Sequence, residues 1–492
     1  MRFARRSCLL TALLCASPML AAHARDDLPP LLAAARSADH DAAMALVRDR
    51  VDVGAVEADG TSALHWAAHF GDAELVRALL AAGADATAAN RYGMTPLQAA
   101  AVEGDPAVID ALLAAGADAN AVLPEGETVL MTAARTGSAE ALRALLAHGA
   151  GTEARDRFHG ESALIWAAAE NHADAVRVLA EHGADVDGRS ALLTLEPRQR
   201  RAGQSILPLG SWTPLMYAAR ENALAAGEAL VAAGANLDAA DPDGATALVI
   251  AIINAHYEFA ELLLRAGADP NIVDLEAGMG PLYAAIDMHR LAVGHGRGNP
   301  VPVGLLDAVD VVALLLEQGA DPNAALKKPI LQRQHTFGDG TLGAGATPLM
   351  RAAKSGDIEV VRMLLAAGAD AKQTLPNGTT ALMLAAGLGW RNGSPLAPSY
   401  DQGSDAEAVE TLELLLSLGL DLQAANEAGD TALHGAVGGR GSEAIVRLLL
   451  ERGADPSVAN ARKQTPLSMA EARGSDAVKA LVRAAAPATT AP

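Results

Sequence analysis

Apolar positions along this chain recur in a fixed beat, clearest in Asn90–Asn120. Leu97, Ala100 and Ala101 give a short helix with a small-residue face. Val108, Ile109, Leu112 and Leu113 follow as the i, i+1, i+4, i+5 stripe of a second helix. The residues around these stripes are start and stop signals. Gly93 permits a turn with positive φ, Thr95 stands where an N-cap belongs, and Pro96 occupies the first helical position. Gly116 is placed to stop the second helix as a left-handed cap. The pattern predicts a turn followed by two antiparallel helices.

The unit comes back through the chain. The Leu97 position recurs at Leu64, Leu130, Leu164, Leu215, Leu248, Leu282, Leu349, Leu382, Leu433 and Leu467. Three residues on, alanine stands in all eleven copies, from Ala67 and Ala100 to Ala436 and Ala470. Leu31, Ala34 and Ala35 begin a twelfth, degenerate copy. The spacing is 33 or 34 residues, with excursions to 51, 67 and 51. Thr95-Pro96-Leu97, Thr213-Pro214-Leu215, Thr347-Pro348-Leu349 and Thr465-Pro466-Leu467, with the Gly-Ala-Asp ends at Gly83–Asp85, Gly116–Asp118 and five further copies, resemble the ankyrin repeat. The expected fold class is all-α, an ankyrin-repeat solenoid of about 12 helix-turn-helix repeats with four loop insertions. A solenoid grows as one body, because each unit contacts only its neighbours, so residues 25–483 are expected to form a single array.

Residues 25–60 read as an N-terminal cap, with Asp39, His40, Asp41, Arg48, Asp49 and Arg50 keeping one face wet. Residues 460–483 read as a C-terminal cap, where Lys463 replaces the usual turn glycine and Glu471 an alanine. The Ala/Pro/Thr-rich tail, 484–492, is expected to be disordered. The insertions fall between Asp185 and Thr213, between His289 and Asp307, after Asp321, and around Gly389–Asp405. Insertions in repeat arrays map to loops, often on the binding face.

Composition then narrows the class. Hydrophobic residues are 51% but aromatics only 3%, so the core is thin and built from Ala and Leu. Residues 1–24 read as a secretory signal peptide: Arg2, Arg5 and Arg6, then the apolar run Leu9–Leu14, then Ala22-His23-Ala24 before Arg25. That run is too short to span a membrane. Cys8 and Cys15 both lie in the leader, so the mature chain forms no disulfide and tolerates an oxidising compartment. A periplasmic or secreted location is expected. The leader holds +3 of a total −21, leaving −24, which argues against nucleic acid and against an anionic membrane surface.

No catalytic constellation stands out: there is no G-x-S-x-G elbow, H-E-x-x-H pair or P-loop. His65 and His434 occupy the histidine position of the signature and are expected to bond neighbouring turns. Trp66 and Trp166 are expected to pack. His289, His295 and His335 could meet in space, but zinc needs three or four convergent ligands, and nothing local supplies them. Neither metal nor cofactor is expected, and the chain is not expected to be an enzyme.

The resemblance implies a monomeric scaffold whose turn tips and first helices line a concave, protein-binding face. Carried onto this sequence, it nominates Arg91, Tyr92 and Met94 from one turn and His69 and Phe70 from a first helix. Arg135, Arg220, Glu221 and Lys354 stand at equivalent helix positions, and Trp212, His335, Phe337, Trp390 and Arg391 come from the insertions. Aromatic and Arg residues are the usual interface anchors. Two other readings stay open: a small-molecule or enzymatic site where the inserted loops converge, and a secreted effector binding a host protein.

Overall fold

The computed structural model describes residues 28–193, 209–290, 300–329, 341–390 and 403–486. The leader, most of the four insertions and the end of the tail lie outside these residues. The chain divides into two compact units, Met1–Ala191 and Leu192–Pro492, each described here by itself.

The first unit holds ten described helices: α1 (Pro30–Arg36), α2 (His40–Arg48), α3 (Ala63–His69), α4 (Ala73–Ala81), α5 (Pro96–Glu103), α6 (Pro106–Ala114), α7 (Val129–Thr136), α8 (Ala139–Ala147), α9 (Ala163–Ala169) and α10 (Ala173–Glu181). The second opens on a two-residue antiparallel pair, β1 (Leu192–Leu193) with β2 (Leu209–Gly210), at the root of the first insertion. It continues through α11 (Pro214–Glu221), α12 (Leu224–Ala232), α13 (Ala247–Ile253), α14 (Tyr257–Arg265), α15 (Pro281–His289), α16 (Ala308–Glu317), α17 (Pro348–Lys354), α18 (Ile358–Ala366) and α19 (Ala381–Ala385). The last helices are α20 (Asp405–Ser417), α21 (Ala432–Gly435) with a π-helical turn over Ala436–Arg440, α22 (Glu443–Glu451), α23 (Pro466–Arg473) and α24 (Asp476–Ala485). These form twelve helix pairs. Within each unit first helices stack on first helices and second on second, which is the all-α ankyrin solenoid.

Local signals set the helix starts. In α5 the Thr95 hydroxyl accepts from the Gln98 N–H, while the Gln98 side chain accepts from the Thr95 N–H. This reciprocal cap, with Pro96 at N1, fixes where the helix begins. Most second helices open on a carboxylate or hydroxyl instead: Asp72 accepts from Leu75 and Ser138 from Ala141, whereas α10, α12 and α14 open on His172, Ala223 and His256 without a side-chain cap. Gly93 adopts φ +78° in the turn, and Gly116, one residue past the cap Ala115, adopts φ +94°.

The repeated leucine and alanine positions are the core. The alanine is buried in every copy, and almost wholly so from Ala67 to Ala470. Its missing bulk allows the helices to approach closely. The leucine is buried from Leu64 to Leu433, but only half-buried at Leu467. Backbone bonds also tie neighbouring turns, Arg91 N–H to the Asp59 carbonyl at 2.6 Å and Leu275 N–H to the Asp243 carbonyl at 2.8 Å. His65 performs the structural task its place in the signature implies. Its Nδ1 accepts from the Ser62 N–H at 3.1 Å, and its Nε2 lies 3.0 Å from the Met94 carbonyl. An Nδ1 that accepts a backbone N–H belongs to the neutral ring, and burial lowers the pKa in the same direction. His434 repeats the arrangement with Thr431 and Gln464.

No described helix is long and apolar enough to cross a membrane.

Candidate interaction surface

The outer ends of the first helices carry the chemistry, and the repeat sets its register. Count from the repeated leucine: the side chain five residues on in one repeat meets the side chain two residues on in the next. Thus Arg36, five after Leu31, lies 5.9 Å from the ring centre of Trp66, two after Leu64. Arg135 lies 5.2 Å from the ring of Trp166 by the same count. In the second unit Asp287 accepts from Nε of Arg351 at 2.8 Å, again by that count. The offset arises because adjacent repeats stack their first helices side by side, which brings these two positions opposite each other.

In the first unit Trp66 donates to Glu57 at 2.8 Å and stacks on Phe70 at 6.0 Å and 20°. His69 sits 5.1 Å from Phe70, and burial lowers its pKa. Phe70 remains 45% exposed. Arg135 also pairs with the buried Glu127 at 3.3 Å. Burial raises the Glu127 pKa, while Arg135 and a hydrogen bond from Thr132 work against the rise. At the turn tip the Arg91 guanidinium lies over the Tyr92 ring and donates to its hydroxyl at 2.9 Å, and both side chains are exposed. Met94 is different. Only 2% exposed, it packs inward, so its side chain offers nothing to a partner.

In the second unit Trp212, Arg220 and Glu221 come together. Arg220 lies 5.2 Å from the Trp212 ring and 4.9 Å from that of Tyr217, and donates to Glu221 at 2.7 Å. Tyr217 was missed by sequence reasoning. Its signal was available, since it occupies the repeat position of Trp66 and Trp166.

Further along the second unit lies a buried polar network. Arg351, only 1% exposed, bonds Asp287 and the Ser355 hydroxyl. Asp357, fully buried, caps α18 and bonds Nδ1 of His289 at 2.6 Å. Arg290 bonds Glu407 at 2.6 Å. The Ser404 N–H, together with Arg290, holds the Glu407 carboxyl down at about 2. Lys354, also 1% exposed, sets its ammonium 5.4 Å from the ring of the buried Trp390. The nominated Lys354 is therefore an internal group, its charge held over an indole face. Arg440, in the π-helical turn, donates to the Gly403 and Ser404 carbonyls. Roots of three insertions meet here: a Cβ at Gly389 would clash with the Thr341 side chain, and one at Gly403 with the Ser355 carbonyl. Asp287, Arg351 and Asp357 were missed by sequence reasoning, because nothing local marks a charge that a later repeat will bury. The nominated His335, Phe337 and Arg391 lie outside the described residues, as do His295 and Gly294–Gly298.

One cluster among the described residues has metal-ligating types: Asp156, His159 and Glu161, with ligand atoms within 4.8 Å of one another. Asp156 accepts from the N–H groups of Phe158, His159 and Glu161, and Asp274 does the same for Glu276, Ala277 and Met279 in a turn that has no histidine. The arrangement is accounted for as turn chemistry.

A family model for ankyrin repeats (3 copies) matches residues 31–122, 98–190, 193–274, 306–392 and 403–490. Among curated proteins the chain is similar to the E3 ubiquitin-protein ligase KEG of Arabidopsis thaliana, 28% identical over 322 residues. That match covers 60% of this chain but only 17% of the plant protein. Among solved structures it is similar to the human ASB11 ankyrin repeat domain, with 28% identity and a TM-score of 0.41 over 49% of this chain and 99% of that one.

Proposed function

We propose, since the chain belongs to the ankyrin repeat family, that it is an exported protein-binding scaffold that grips its partner with first-helix ends and inserted loops. Ankyrin repeats generally mediate protein–protein interaction, and the fold is typically a non-enzymatic scaffold. The observation that carries the proposal is where the scarce aromatics lie. All four tryptophans, Trp66, Trp166, Trp212 and Trp390, stand on or beside first helices, each with a cation within 6 Å of its ring, and at Trp166 and Trp212 the ring and its arginine are both partly exposed. Such rings, paired with Arg, are what interfaces use as anchors. The inserted loops enter the proposal because described residues at the roots of two of them are tied together by Arg290 and Glu407.

Export to the bacterial envelope rests on the leader alone. It is tested by fractionating expressing cells and finding a mature N-terminus at Arg25. The binding proposal is tested by capture from envelope extract, comparing the intact chain with one lacking residues 291–299, 330–340 and 391–402. Loss of a specific partner on loop deletion supports it; equal recovery of every protein by both removes the loops from the proposal. A second reading, a small-molecule site at the loop roots, draws on the burial of Arg351, Lys354 and Asp357 there. Turnover or small-molecule binding that Lys354→Met abolishes would favour it over the scaffold.

A further inference from the structure

A cleft lies between the first two helix pairs of the first unit, beside the Arg36–Trp66 pair. It encloses about 300 Å³, at the small end of ligand-sized pockets and suited to one side chain. Ala35 and Ala67 line its apolar part, Phe70 forms one wall, and Asp39, His40 and Asp72 edge it.

We propose that this cleft receives the guanidinium of an arginine on the partner protein. The proposal deepens the scaffold reading and rests on it for the source of the arginine.

Three observations carry it. The first is the stack. Arg36 lies against Trp66, and Phe70 stacks on Trp66 with its own ring 45% exposed. Among the described residues the cation–ring pairs use Trp66, Tyr92, Trp166, Trp212, Tyr217 and Trp390, and none uses Phe70. An arriving guanidinium continues the stack on that ring. The second is charge. Asp39 edges the cleft, and Asp41, Asp72 and Glu74 act on His40, whose Nδ1 lies 2.6 Å from Asp72 and Nε2 3.8 Å from Glu74. These carboxylates raise the His40 pKa, chiefly through the Asp72 bond, and a ligand cation would meet the same potential. The nearby Arg36 is already engaged by Glu57 at 3.4 Å. The third is geometry. Asp39 caps α2 through Oδ1 at 3.1 Å, which leaves Oδ2 to accept from a ligand beside the exposed ring. A planar guanidinium can stack on a ring and donate to a carboxylate at once, which a compact ammonium does less well. The chain's net charge of −21 draws a basic partner toward it.

The test uses the full chain and blocked peptides Gly-Arg-Gly, Gly-Lys-Gly and the neutral isostere Gly-citrulline-Gly, titrated calorimetrically. The arginine peptide is expected to bind at least ten-fold more tightly than the citrulline peptide and several-fold more tightly than the lysine peptide. Asp39→Asn with Asp72→Asn keeps both helix caps, because Asn caps as well as Asp. That double variant, and separately Phe70→Ala, is expected to weaken arginine binding at least ten-fold and several-fold respectively. Equal affinity for arginine and citrulline peptides, or undiminished binding in both variants, would overturn the proposal. The scaffold reading fails separately: extract capture that recovers no specific partner defeats it even if the arginine peptide binds the cleft as described.

Discussion

Lys463 illustrates how one residue carries the history of its repeat. It adopts φ +59°, and its N–H bonds the Asn460 carbonyl at 2.8 Å, just as Gly93 at φ +78° bonds Asn90. A lysine pays a steric cost there that glycine avoids, of order 1–2 kcal/mol, partly offset by the greater chain entropy glycine loses on folding. Lys463→Gly is therefore expected to stabilise the last repeat by about 0.5–1 kcal/mol, read as a higher urea midpoint for the second unit. Asp243 shows a residue disfavoured by its neighbours. Burial, then Asp241, Glu276 and Asp274, raises its pKa from 3.8 to about 6. A raised carboxyl pKa favours the folded state only while the group is protonated. Its contribution is complete below about pH 3.8 and lost as pH rises through about 6. Asp243→Asn should then raise the thermal midpoint at pH 7.5 and leave it unchanged at pH 3.5. An equal gain at both values would show that charge is not the cause.

At the scale of the element, the short first helices depend on both caps and cross-repeat partners. In α17 that dependence has become electrostatic, because Arg351 stands where other repeats place Trp66 or Tyr217 and takes Asp287 of α15 as its counter-charge. Removing one member of a buried pair leaves the other desolvated and unpaired. Arg351→Met is expected to cost about 3 kcal/mol in the second unit, and Arg351→Met with Asp287→Leu to recover most of it. Denaturant titration of the single and double variants checks this. A double variant no better than the single would mean that Arg351 is held mainly by its other contacts, such as Ser355.

At the scale of the molecule, each unit is a row of pairs in which a repeat is stabilised by those beside it. The consequence is graded stability. Leu467 in α23 is half-buried where its counterpart Leu248 in α13 is buried, so the last repeat opens most easily in the second unit. Hydrogen exchange should therefore be faster in α23 and α24 than in α13 and α14, and equal protection across the unit would contradict the nearest-neighbour picture. The proposed partner choice and the proposed arginine contact also belong to this scale, because each would depend on what the folded surface meets.

The number of repeats, the helix starts and the buried leucine and alanine positions were readable from the chain, because their signals are local. A cap lies within three residues of the group it satisfies, and a helical stripe shows itself within two turns. The family and its protein-binding character followed from the same short-range signals. Division into two units, the inward turn of Met94 and the burial of Lys354, Arg351 and Asp357 were decided only by packing. Arg290 and Glu407 stand 117 residues apart, with insertions between them that keep no period. An ion pair of that kind leaves no trace in a repeating pattern, since its partners are chosen by how side chains meet in space rather than by their distance along the chain.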